Sequence, residues 1–498
     1  MCNNAIQINI NELGSGANGI PNNIIGKLKS DIIAYNESRH AVYDSISPYI
    51  LNVLRPYIVF NASTRPTEFN LSSGYNYITK LILNNIFTHP YLEDLFISLT
   101  NLYLCNNKIY TIGCSLSKLT NLTTLGLKNT KITTIGDSLS TLINLTELDL
   151  ERNQITDIGN SLYTLTNLTK LNLKHNKITT IGNSLYALNR LTNLYLECNQ
   201  IATLGNSLSR LTNLTELDLE CNQIATLGNS LSRLTNLTEL NVSRNRIATL
   251  GNSLSTLIKL IKLNVTRNRI TLSGTSFSRL TNLTNLDLDN NKITTIGDSF
   301  VTLTNLTDIN LSNNQIETVG DSLATLTNLT ELDVSSNEIT NLRNSLDTLT
   351  DLTILYLEHN KITTIGKTLS TLTNLMELDL AHNQITGLGN TLSKLTNLTD
   401  LDVENTQITA IGDSLVTLTN LTKLDISRNG ITTIGSSLST LTNLFRLNLA
   451  HNQITGLGTS LSTLTNLTTL DIEDTQIITI GDSLVTLTNL TNLYLDDN

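Results

Sequence analysis

The sequence predicts an α/β repeat solenoid: a horseshoe with a parallel inner sheet and short helical or irregular turns on its convex side. Three observations predict it. A frame of 23 residues recurs without insertion or deletion, leucines alternate within it, and an asparagine returns at one fixed place. Leu145 to Asn167, for example, reads LTELDLERNQITDIGNSLYTLTN. The asparagine place falls at eighteen positions from Asn107 to Asn498, fifteen held by Asn and three by Thr130, Thr406 and Thr475. Such regularity overrides the three or so ordinary domains of ~150 residues that the length alone suggests.

Each element of the frame has a physical reason. In LTELDLE the alternate leucines point inward from a short strand, while Glu147, Asp149 and Glu151 point outward. Successive strands then stack in parallel about 4.8 Å apart. The asparagine turns inward, where its amide bonds backbone groups that otherwise lack partners, and Thr supplies only part of that set. Six residues further on, Gly fills sixteen of seventeen places, Arg343 being the exception. That spacing predicts a turn with positive φ or a close backbone approach. Asp or Asn follows in twelve of the seventeen, before S-L-x-x-L. It is expected to cap one short helical turn whose two leucines face the core.

The recurring L-x-x-L-x-L-x-x-N-x-I resembles the core pattern of the leucine-rich repeat superfamily. The repeat length resembles the intracellular Ras-suppressor-like and scribble-like class, with Ile-Gly where that class carries Leu-Pro. The resemblance implies a leucine-rich repeat domain over residues 76–498, opening on a shortened repeat that holds Ile78, Leu81, Leu83 and Ile86. It also implies a non-enzymatic scaffold or adaptor for protein–protein interaction. Residues 1–75 lack the period. The spacing of Ile24, Ile25, Leu28, Ile32 and Ile33, and of Tyr49, Ile50, Val53 and Leu54, predicts short helices there, an N-terminal cap or docking segment. Ile20-Pro21-Asn22-Asn23-Ile24-Ile25 faintly resembles the opening of an F-box. The alternative function is therefore a substrate receptor of a ubiquitin ligase, or a regulatory subunit of an enzyme, recruited through this segment. At the other end the Leu493/Leu495 strand lacks a convex half, so either the chain is truncated or another subunit caps it.

Charge points to the partner. Three outward places in each of eighteen repeats hold 23 acidic and six basic residues, a balance of -17 against -10 for the whole chain. Flanking the asparagine place, eleven basic residues stand against three acids. Solvation of an exposed face explains the charge but not the separation of signs, which predicts a partner protein with a basic surface. Nucleic acid is disfavoured by the missing basic surplus, and a membrane by the lack of any run near ~18 apolar residues. Five Cys in 498 residues do not make a disulfide scaffold. Cys198 and Cys221 hold equivalent places in adjacent repeats, near enough to bridge or to remain thiols in a reducing compartment. Asn-Leu-Thr occurs at twelve repeat junctions, where glycans would burden packing positions, and Met1-Cys2-Asn3-Asn4 opens no signal peptide. The expected location is the cytoplasm.

Candidate contact residues follow from local departures. Ile354 is the sole aliphatic residue in its ladder; beside it stand Tyr356 and Glu358, with Asp333 and Asp379 in the neighbouring repeats. An apolar centre in an acidic surround is the composition of an interface hot spot. Tyr195 occupies the same place as Tyr356. Arg244 and Arg267 lie in a segment, 233–279, with eight basic residues and one acid, either an anionic-partner patch or a drifted repeat. Any break in the sheet is expected near Leu272-Ser273. His175, His359, His382 and His451 all precede the asparagine place, a rim pattern. His359, His382 and Glu358 form the one suggestive metal set, without a further ligand to complete it. No catalytic, cofactor-binding or metal residues are assigned.

Overall fold

A computed structural model describes residues 58–60, 66–70, 99–107, 109–112, 114–250, 252–272, 277–342 and 345–498. The chain divides into two compact units, Met1–Gln223 and Ile224–Asn498. In the first, strands β1 (Ile58–Phe60) and β2 (Pro66–Asn70) precede six repeat strands: β3 (Asn101–Tyr103), β4 (Thr124–Gly126), β5 (Glu147–Asp149), β6 (Lys170–Asn172), β7 (Asn193–Tyr195) and β8 (Glu216–Asp218). β1 and β2 are antiparallel, and from β2 to β8 each strand pairs in parallel with the next.

The second unit holds twelve repeat strands. They are β9 (Glu239–Asn241), β10 (Lys262–Asn264), β11 (Asn285–Asp287), β12 (Asp308–Asn310), β13 (Glu331–Asp333), β14 (Ile354–Tyr356), β15 (Glu377–Asp379), β16 (Asp400–Asp402), β17 (Lys423–Asp425), β18 (Arg446–Asn448), β19 (Thr469–Asp471) and β20 (Asn492–Tyr494). Each pairs in parallel with the next, equivalent residue against equivalent residue. β10 and β11 pair in full register across Leu272, the place where any break was expected, and 273–276 lie outside the described residues. Phe277 and Phe300 stack at 5.8 Å, fully buried, where other repeats place leucine.

The packing follows from the frame. From β3 to β19 the middle residue of each strand and the residue two places further on are buried, as are both leucines of S-L-x-x-L in most repeats, such as Leu139 and Leu142; β20 is exposed. Asn153 shows how the ladder works. Its Nδ2 donates to the carbonyls of Leu127 and Leu150, both at 2.9 Å, and its Oδ1 accepts from the N–H of Ile132 at 2.9 Å. One side chain thus satisfies backbone groups in two coils, which water cannot reach. Thr130 donates to Leu127 O and to Asn153 Oδ1, and Thr406 to Val403 O and Asn429 Oδ1. The hydroxyl replaces only part of the amide, as expected.

The convex side is made of short 3-10 turns such as Asp137–Leu139, Ser184–Ala187 and Asp321–Thr325, or of plain turns. Among the described residues ten frame glycines, Gly136 and Gly159 included, have positive φ. Gly320 and Gly435 instead have φ of -74° and -70°, although they lead into a 3-10 turn just as Gly136 does. The expected cap is not used: Asn183 stands at the N-cap of Ser184–Ala187 and makes no side-chain capping bond. A turn this short leaves few N–H groups to cap.

Of the segment read as a helical cap or docking segment, residues 58–60 and 66–70 are described, and they are strands. Its helical stretches, the F-box-like opening and the shortened repeat at Ile78–Ile86 lie outside the described residues, as does Arg343.

Candidate functional site

Basic residues meet some of the outward acids in both units, as Lys262 meets Glu239 and Lys423 meets Asp400 in the second. In the first unit, Lys128 pairs with Glu151 at 2.8 Å and Lys174 pairs with Glu197. Lys174 also lies 4.6 Å from the centre of the Tyr195 ring, a cation–π distance. In the second unit, the eighteen face places from β11 to β16 hold eleven acids and no basic residue. Five of these carboxyls are raised above the usual range. Glu358 and Asp402 are each raised to about 7, first by burial and then by neighbouring carboxylates, Asp379 foremost. Burial and like charge also raise Asp287, Glu331 and Asp379. Glu358 Oε2 is buried with no hydrogen-bond partner, which explains the desolvation.

Some of these acids have a second task. Asp333, Asp379, Asp402, Asp425 and Asp471 each accept the backbone N–H two residues on, at 2.8–3.1 Å. This bond ends the strand. Asn310 and Asn448 make the same bond, so it needs no charge. The negative charge at the five Asp is therefore surplus to the fold.

The register brings most of the expected contact residues together. Asp333, Tyr356 and Asp379 are direct partners across β13, β14 and β15, and Ile354 lies on the same face between Glu331 and Glu377. Tyr356 is half-buried, and its hydroxyl donates to Glu377 Oε1 at 3.1 Å. Tyr195 does likewise to Glu216 Oε2 at 2.8 Å, and its own hydroxyl is pushed up to about 12 by burial and that carboxylate. The two rings differ in one respect. Among the described residues no cation lies over Tyr356, whereas Lys174 covers Tyr195. Tyr195 belongs to the other unit and is not part of this group. Arg244 and Arg267 follow β9 and β10 on the rim, several repeats before Tyr356, so they do not join the apolar centre either.

His359 and His382 stack with centroids 4.1 Å apart and planes within 6°. Parallel stacked rings direct their nitrogens side by side, not toward one point, so they make a poor chelating pair. Asp402, Glu404 and Asp425 have carboxylate oxygens within 4.8 Å of one another, a grouping the sequence did not single out. Arg428 Nε lies 3.1 Å from Glu404, and Asn448 and Ser427 donate to Asp425. A cavity of about 560 Å³ beyond them is lined by Phe445, Arg446 and Tyr494 as well as Asp425 and Asp471.

Three features escaped the sequence reading. The residue before the asparagine place is left-handed in every described repeat, whatever its type: Arg152, His175, Cys198 and Asp474 have φ between 46° and 54°. A threonine ladder precedes the strands, Thr146 and Thr169 each donating to the carbonyl 23 residues back at 3.0 Å. The sequon asparagines are exposed, or part-buried at Asn167 and Asn236, and Asn144, Asn167 and Asn305 donate Nδ2 to the carbonyl 24 residues back at 2.8–2.9 Å. The T-N-L-T motif was the visible signal for both ladders.

The raised carboxyls carry a pH consequence. An acid whose folded pKa exceeds its unfolded value binds its proton more tightly in the folded state, so its stabilisation is present at low pH and lost as pH rises through the folded value. With Glu358 and Asp402 near 7, the thermal midpoint should rise by a few degrees between pH 8 and pH 5.5. The double variant Glu358→Gln, Asp402→Asn should flatten that slope. A midpoint that falls over the same range would contradict the assignment.

Comparison with known proteins agrees with the architecture. A family profile described as "Leucine rich repeat" matches residues 97–155, 143–201, 189–247, 258–316, 304–362, 350–408 and 396–454, and one described as "Leucine Rich repeats (2 copies)" matches 442–483. No curated protein sequence matches the chain. Among solved structures, a leucine-rich repeat protein of Leptospira interrogans aligns with TM-score 0.67 at 24% identity, over 84% of this chain and 98% of its own. The functional domain of InlJ from Listeria monocytogenes aligns with TM-score 0.57 at 29% identity, over 66% of this chain and 69% of its own. The ectodomain of the Arabidopsis receptor kinase HAESA, in complex with a peptide hormone, aligns with TM-score 0.58 at 24% identity, over 84% and 76%. With its frame, its asparagine ladder and these profile matches over more than half its length, the chain belongs to the leucine-rich repeat family.

Proposed function

We propose that the chain is a non-enzymatic interaction scaffold or adaptor that holds a protein with a basic surface against the acidic face of β11–β16, centred on Tyr356. The observation that carries this reading is the run of eleven acids with no basic residue, five of them with carboxyls raised by burial and by neighbouring carboxylates. A partner's Lys or Arg relieves both effects at once, and a ring without its own cation offers a further contact. The HAESA complex with a peptide hormone is a precedent within this fold for a protein ligand. Duplex DNA would meet like charge on this face. We place the protein in the cytoplasm, since a glycan on Nδ2 of the sequon asparagines would intrude on a bond the repeats use.

The test is capture of a lysine- and arginine-rich peptide by the full chain, against a glutamate-rich peptide and a DNA duplex. Binding to the basic peptide alone is expected, weakening by at least tenfold as the Debye length falls from ~10 Å at 0.1 M salt to ~3 Å at 1 M. Salt-independent capture, or preference for DNA, would contradict it.

A further inference from the structure

The rim of the first unit carries two thiols that the acidic face does not use. Cys198 and Cys221 stand immediately before Asn199 and Asn222, at φ of 54° and 55°. β7 and β8 pair in parallel, Asn193 opposite Glu216 and Tyr195 opposite Asp218, and Cys198 N donates to Glu220 O at 2.9 Å just beyond them. The two cysteines are therefore held one strand apart. Neighbouring strands lie about 4.8 Å from each other, inside the range of roughly 4.4–6.8 Å that the Cα atoms of a disulfide span. Both thiols are free and partly exposed, and they hydrogen-bond to one another. Two identical left-handed rim positions thus aim a pair of reduced sulfurs at each other. Cys105, also a free thiol, serves as a contrast: the equivalent residue in the next repeat is Lys128.

We propose that Cys198 and Cys221 form a dithiol site that reduces a low-molecular-weight disulfide and closes into a bond between adjacent repeats. In the first step the Cys221 thiolate attacks one sulfur of R–S–S–R. An S–S bond forms between Cys221 and that sulfur, the original S–S bond breaks, and RS⁻ leaves with the electron pair. In the second step Cys198, its proton removed to solvent, attacks Cys221 Sγ and expels the second RS⁻. Both thiolates take up protons, so one disulfide and two protein thiols become two RSH and one protein disulfide, with two electrons passing to the reagent.

Cys198 is assigned the second step because burial, the contact with Cys221 and the neighbouring Glu220 and Glu197 raise its thiol to about 11. It is the weaker nucleophile and waits for a mixed disulfide beside it. Closure should therefore be slow at pH 7 and accelerate about tenfold per pH unit up to pH 9.

The experiment equilibrates the folded full chain in buffers of oxidised and reduced glutathione, then maps disulfides by peptide mass spectrometry. The expected result is joint loss of the Cys198 and Cys221 thiols into one intrachain bond. Cys198→Ser should leave glutathione trapped on Cys221, with no closure at any pH. Far-ultraviolet circular dichroism of both variants, Cys198→Ser and Cys221→Ser, should match the wild type, separating lost chemistry from lost folding. Glutathione standing stably on both wild-type cysteines, or thiols that stay reduced in the most oxidising buffer, would overturn the proposal.

Discussion

Replacing Asn360 by Leu should destabilise the protein by about 3–5 kcal/mol, measured by urea unfolding, although leucine is apolar and of similar volume. Asn360 Nδ2 donates to the carbonyls of Val334 and Leu357, each at 3.0 Å, and Oδ1 accepts from Ile339 N at 2.9 Å. The asparagine is buried, so these backbone groups have no water to turn to when the amide is gone. Each orphaned group costs on the order of 1–3 kcal/mol, and the three share one site, so the total lies below their simple sum. Asn360→Thr should cost less than half as much, as the chain itself tolerates Thr130, Thr406 and Thr475 in this place. Because a repeat array opens locally, hydrogen exchange should quicken first at the Ile339 amide. A loss below ~0.5 kcal/mol for the leucine variant would show that the ladder is decoration.

The same ladder explains why so much of the architecture was legible. A period of 23 residues, alternate leucines and an inward amide each constrain the backbone through the residue's own chemistry, so residue identity reports position. The left-handed rim position is the counter-example. Its φ near 50° is imposed by the strand ending on one side and the asparagine bonds on the other, so Arg152, His175 and Cys198 accept it equally and no residue type announces it. The expected capping role of Asn183 failed for a related reason: Asp and Asn before S-L suit a cap, but the 3-10 turn they open is too short to need one. β2 was hidden because Pro66–Asn70 carries no L-x-L alternation, yet it pairs with β3 as a repeat strand would.

The acidic face was half legible. Counting charges by frame position revealed the excess, but only coordinates separated ion-paired acids such as Glu151, Glu197, Asp400 and Glu404 from Glu331, Asp333, Glu358, Glu377 and Asp379 around Tyr356, which make no ion pair among the described residues. Asp333 and Asp379, expected as the acidic surround of Tyr356, each also close a turn through the backbone N–H two residues on. The backbone bond uses Oδ1, and Asn does the same in other repeats, so the charge itself is left to act outward.

Tyr356→Ala should weaken capture of a basic peptide at least tenfold, about 1.4 kcal/mol, while leaving the unfolding midpoint nearly unchanged. Tyr195→Ala should change it less than twofold. Both rings stand mid-face and donate to a glutamate of the next repeat, so hydroxyl and burial alone do not distinguish them. What differs is the ring face. Tyr195 is covered by Lys174, so a partner's cation would have to displace one already present. Tyr356 carries no such cover among the described residues and lies between Asp333 and Asp379, a negative surround that draws a cation onto the ring. Tyr356→Phe separates the ring from the hydroxyl: it should retain most of the affinity, because the hydroxyl bonds Glu377 within the chain. Equal, small losses at Tyr195 and Tyr356 would mean that the aromatic merely covers the strand beneath it and that charge alone holds the partner.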